Sequence, residues 1–96
     1  MFVMQATFRA KPGKAQALAD KLSAAAAHIV GGEVTGYRVM IDHVADFWTV
    51  ILEATLTSVD AYFEAISAPG ARDAMAGYLD LVESGDRRAF RVVAEG

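Results

Sequence analysis

The chain has 96 residues, enough for one domain spanning 1–96, and its 54% apolar and 22% charged residues give an ordinary globular balance without the signature of disorder. A net charge of -3 argues against a nucleic-acid surface, and the absence of cysteine excludes disulfides, thiolate nucleophiles and cysteine-based metal sites. No stretch approaches the roughly 18 apolar residues of a membrane span. The opening Met1-Phe2-Val3-Met4-Gln5 also lacks the basic region of a signal peptide, so a cytoplasmic location is expected.

Phe2 to Arg9 alternates, with Phe2, Met4, Ala6 and Phe8 on one side and Val3, Gln5, Thr7 and Arg9 on the other. That pattern predicts a strand with one clean apolar face and one mixed face. Lys11-Pro12-Gly13-Lys14 ends it. Ala15, Leu18, Leu22, Ala25 and Ile29 then recur at helical spacing and predict a helix lying on a sheet, closed by Gly31-Gly32. Lys14, Lys21 and His28 fall on another, solvated face of this helix, where His28 complements the dipole.

Val34 to Ile41 reads as a second strand with a bulge at Gly36, and the short connection Asp42-His43-Val44-Ala45-Asp46 predicts an antiparallel third strand, Phe47 to Thr55. Thr57 to Asp60 has the spacing of a capping box, with Thr57 as the cap. Val59, Tyr62, Phe63 and Ile66 form the inward face of the helix that follows. Pro69 suits the first turn of a new helix carrying Ala71, Met75, Tyr78 and Val82. Ser84-Gly85-Asp86 reads as a turn and Arg88 to Val93 as the last strand.

Each half, 1–42 and 46–94, is strand, helix, strand. The expected class is α+β: a ferredoxin-like β-α-β-β-α-β subunit with a four-stranded antiparallel sheet and helices on one face. Gln5-Ala6-Thr7 and Glu53-Ala54-Thr55 echo one another, so Gln5 and Thr7 should share a face with Glu53 and Thr55. The cleaner faces, including Trp48, Val50, Leu52, Phe90 and Val92, are assigned to the helices. Val3, Gln5, Thr7, Arg9, Phe47, Thr49, Ile51, Glu53 and Arg91 remain on the other face, joined by Arg38 and Met40 if Tyr37, Val39 and Ile41 face the helices. Such a face measures roughly 19 by 17 Å, on the order of 300 Å², near the limit that soluble monomers expose. A second copy of the chain is the expected cover, a homodimer formed through the open sheet face.

The strand Phe2-Val3-Met4-Gln5-Ala6-Thr7-Phe8, the turn Lys11-Pro12-Gly13-Lys14, the strand Phe47 to Glu53 and the closing Leu81 to Val93 resemble the dimeric α/β-barrel superfamily, within it the antibiotic-biosynthesis-monooxygenase-like proteins. The resemblance implies a homodimer whose two sheets form a barrel, with a pocket inside the barrel or between sheet and helices. It also implies an activity drawn from a range that includes cofactor-free oxygenation, haem degradation and lactone isomerisation. The chain has no asparagine, and neither histidine falls in the second half's helices, so the haem-degrading pattern is not reproduced.

Glu53 is the candidate catalytic residue, a mid-strand carboxylate on a face expected to be covered; it reads either as an ion pair with an arginine or as a partly desolvated general base. Gln5, Thr7, Arg38, Thr49 and Arg91 are the candidate ligand-binding residues, and Arg38 or Arg91 would stabilise an enolate. Tyr37, Tyr62 and Tyr78 could present hydroxyls to a pocket or sit at core edges, and Trp48 reads as core. Asp42, His43 and Asp46 read as a solvated hairpin tip or an acid/base cluster. No metal or cofactor is expected. Three readings follow: a homodimer binding a small, largely apolar molecule, a small aromatic among the candidates; a cofactor-free monooxygenase of a phenol or quinol; and a structural dimer without ligand.

Overall fold

The computed structural model describes residues 1–96. Its elements are β1 (Phe2–Ala10), α1 (Ala15–Ile29), β2 (Val34–Ile41), β3 (Thr49–Leu56), α2 (Val59–Ser67), α3 (Pro69–Ala74), a single 3-10 turn at Tyr78–Asp80, and β4 (Val82–Arg91). The strands form one antiparallel sheet in the order β2-β3-β1-β4, the ferredoxin-like arrangement. The expected α+β class is the observed one.

All the helices lie on one face of the sheet. Leu18, Leu22 and Ala26 of α1 pack on Ala6, Val50 and Leu52, while Tyr62 of α2 and Ala71 of α3 pack on Met4, Ala54 and Leu56. The α1 stripe inferred from the sequence is buried at Ala15, Leu18, Leu22, Ala25 and Ile29. Gly31 and Gly32, with φ of 134° and 56°, turn the chain into β2 in a conformation that glycine adopts without a Cβ clash. Thr35 is the extra residue of a bulge beside Gly36, where the β2–β3 register shifts. Beyond it Tyr37, Val39 and Ile41 share the helix-bearing face with Ala54, Leu52 and Val50, which leaves Arg38 and Met40 on the open face.

Four local expectations are corrected. The cap of α2 is Ser58, whose hydroxyl accepts from the Ala61 N–H at 3.3 Å, while Thr57 donates to the Glu33 carbonyl. Phe47 is an exposed loop residue, because Asp46 holds the backbone in a turn by accepting the Trp48 N–H, and β3 begins only at Thr49. The helix predicted to run from Pro69 to Val82 stops at Ala74, since Gly77 takes φ 83° and breaks it. Ser84-Gly85-Asp86 is strand, not turn: β4 pairs with β1 from Val82 to Arg91.

That longer β4 changes its phase. Phe90 lies opposite Val3 on the open face, and Arg91 lies opposite Phe2 at the margin of the helix-bearing face. Alternation within the sequence alone assigns these two the other way round. In the row that crosses Gln5, the arginine is Arg88.

Candidate functional site

The sheet carries two distinct constellations, one on each face. On the open face a row of four residues crosses all the strands: Arg38 on β2, Glu53 on β3, Gln5 on β1 and Arg88 on β4. Directly opposed side chains on antiparallel strands come within hydrogen-bonding reach. Glu53 uses that proximity on both sides, accepting from Gln5 Nε2 and from Arg38 Nε, each at 2.9 Å. Its side chain is 15% exposed, whereas that of Arg38 is 67% exposed. The next row is Met40, Ile51, Thr7 and Asp86, and Thr49 follows beside Arg9. The structure thus brings Glu53, Gln5, Thr7, Arg38 and Thr49 onto one surface and leaves Arg91 off it.

At the end of this face Arg9 pairs with Asp46 from the β2–β3 hairpin and with Glu83 at 3.4 Å. Asp42 accepts the N–H groups of Val44 and Ala45 at 2.9 and 3.0 Å, and these bonds hold its carboxyl below the usual range. Asp46 is lowered in the same way, by the Trp48 N–H and then by Arg9. Both acids are occupied in shaping the hairpin. With His43 they do not form a group able to hold a metal ion.

The other face holds a cavity of about 430 Å³ between the sheet and the helices, within the range of small-molecule sites. Its origin is in the sequence. Alanine occupies both walls, at Ala6 in β1, at Ala25 and Ala26 in α1 and at Ala71 in α3, and a methyl group cannot fill the space between a helix and a sheet. Of 17 lining residues, 14 have apolar or aromatic side chains, the two tyrosines among them. Polar groups come from Tyr62, Tyr78, Arg72 and Arg87. Tyr62 is buried, which pushes its hydroxyl pKa up, opposed in part by the charge of Arg87. Tyr78 meets Phe8 edge-on, with ring centroids 6.3 Å apart. Phe8 in turn lies over Gly85, where an added Cβ would come within 3.1 Å of its ring. A shallower groove of about 420 Å³ continues past Phe8, Tyr78 and Arg87 along β4.

Two of the three tyrosines weighed as pocket residues therefore reach the cavity, Tyr62 and Tyr78; Tyr37 does not line it. Sequence reasoning missed Arg72 and Arg87. A signal existed for the second: in a strand that includes Arg87-Arg88, period-two alternation must send one arginine to each face. Glu53 lies on the side of the sheet away from this cavity.

No protein-family model matches the sequence, and no curated protein matches it. Solved structures do. An antibiotic-biosynthesis-monooxygenase-like protein of Chloroflexus aurantiacus superposes with a TM-score of 0.81 at 21% identity, covering 99% of this chain and 95% of its own. The fold is theirs. Another such protein, from Deinococcus radiodurans, gives a TM-score of 0.79 at 18% identity over 99% of this chain and 95% of its own. SnoaB, a cofactor-independent oxygenase from Streptomyces nogalater, gives 0.79 at 15% identity over 98% and 94%. At these identities the likeness establishes the antibiotic-biosynthesis-monooxygenase-like fold and leaves the chemistry to the site.

Proposed function

We propose that this protein binds a small, largely apolar molecule in the cavity between its sheet and its helices, and that it works as a homodimer joined through the open sheet face. The observation that carries the first part is the alanine-walled cavity of about 430 Å³ with a few convergent polar groups. The second part is supported by the open face itself. Val3, Met40 and Ile51 are half-buried there, Phe90 is 45% exposed, and no helix of the chain lies over them. Its one central carboxylate already has a donor on each oxygen, so covering Glu53 leaves no orphan acceptor. No helix is long and apolar enough to cross a membrane; we place the protein in the cytoplasm, in keeping with its lack of cysteine.

The test uses N-phenylnaphthylamine, whose fluorescence reports entry into an apolar site. Titration should saturate, and Ile66→Trp, which places an indole in the cavity, should abolish the signal. A probe that fails to bind, or binds the variant equally well, removes the proposal. Sedimentation at micromolar concentration tests the dimer, and a monomer there refutes it.

A second reading, cofactor-free monooxygenation of a phenol or quinol, is favoured by the fold shared with SnoaB. An anthrone illustrates the balance. Its ring CH₂ loses two protons and four electrons to O₂, one oxygen atom entering the ring carbon as the quinone carbonyl and the other leaving as water. The protein supplies a dry pocket and a cation for the developing enolate, a role open to Arg87 on the cavity side. Glu53 as the base would instead require the substrate to lie between the two sheets of a dimer. Oxygen uptake with anthrone, lost in Ile66→Trp, would support the cavity; loss in Glu53→Gln alone would support the barrel interior.

A further inference from the structure

We infer that the occupant of the sheet–helix cavity is an amphipathic organic anion, its apolar body among the alanines and its acidic head between Arg72 and Arg87. This rests on the proposal that the cavity is a ligand site. Arg72 and Arg87 are the only charged residues that line it. The chain as a whole is acidic, with a net charge of -3, so a purely cationic lining runs against its average composition.

Neither guanidinium is in an ion pair. The ion pairs of the protein use Arg9, Arg38 and Arg88. The carboxylates of the adjoining groove are already engaged, Glu83 by Arg9 at 3.4 Å and Asp86 by Arg88 at 3.2 Å. Arg87 is held beside two aromatic rings, with its central carbon 5.7 Å from the Tyr62 ring centroid and 5.5 Å from that of Phe63. Cation–π contacts of this kind restrain the group, and a guanidinium carries five N–H donors, enough to receive a carboxylate or sulfonate beside the rings. Arg72 reaches the same cavity from a different element, α3.

Two probes of nearly the same shape decide it: anilinonaphthalene sulfonate, which is anionic, and N-phenylnaphthylamine, which is neutral. The protein should bind the anion at least about tenfold more tightly. That preference should fall about tenfold in Arg87→Gln and in Arg72→Gln and survive in part in Arg87→Lys. Both side chains are exposed, so the variants should fold, and thermal melts by circular dichroism verify it. Equal affinity for the two probes, or a preference unchanged in both glutamine variants, overturns the inference while leaving the cavity a binding site. Failure of both probes to bind, or binding indifferent to Ile66→Trp, overturns the cavity reading and this inference with it.

Discussion

Gln5 and Glu53 face one another across the β1–β3 ladder, and Gln5 Nε2 donates to Glu53 Oε2 at 2.9 Å. The glutamine occupies one carboxylate oxygen while Arg38 occupies the other. A carboxylate so engaged can be covered by a partner without losing hydrogen bonds, whereas removing it strands a cation. Glu53→Ala should therefore weaken the proposed dimer, raising its Kd at least about tenfold, or roughly 1.4 kcal/mol. Sedimentation equilibrium across a dilution series measures it; an unchanged Kd would separate this row from the interface.

Tyr62 should titrate late, because burial raises its pKa above the ordinary phenol value of 10.0. The folded state then holds its proton more tightly than the unfolded one. Stability from this group is complete below the unfolded pKa of about 10 and is lost as pH climbs toward the folded value. Ultraviolet titration of phenolate should show a component delayed beyond the ordinary phenol value that is lost in Tyr62→Phe.

The hairpin between β2 and β3 should respond to acid in the opposite sense. Asp42 and Asp46 have lowered pKa values in the folded protein, so their contribution is present above the ordinary carboxyl value of 3.8 and disappears as pH falls through the folded values. Amide exchange at Val44, Ala45 and Trp48 should accelerate there before the sheet melts. Asp42→Asn should remove the transition at Val44 and Ala45 alone. Exchange rates insensitive to pH, once corrected for intrinsic chemistry, would contradict this.

Leu18 is fully buried in the α1–sheet cluster and does not line the cavity. Leu18→Ala should cost roughly 2–5 kcal/mol of stability and leave the cavity walls in place. Ile66→Trp, by contrast, adds volume where space is open and should cost less. Urea denaturation of both variants compares them, and a reversal of that order would mean the cavity is not the open space described.

The order of elements, the buried stripe of α1 and the two faces of β1 and β3 are all legible in the amino-acid sequence. Each follows from short-range periodicity: a strand alternates and a helix repeats whatever lies far away. The echo of Gln5-Ala6-Thr7 in Glu53-Ala54-Thr55 correctly sets Gln5 and Glu53 on one face. The phase of β4 is not legible there, because its exposed, charged sequence has no clean alternation and only pairing with β1 decides which of Arg87 and Arg88 turns toward the helices. The cavity is hidden from the sequence for a different reason. Empty volume belongs to no residue; it arises where alanines from β1, α1 and α3 meet, and the distance between a helix and a sheet is set by every contact at once.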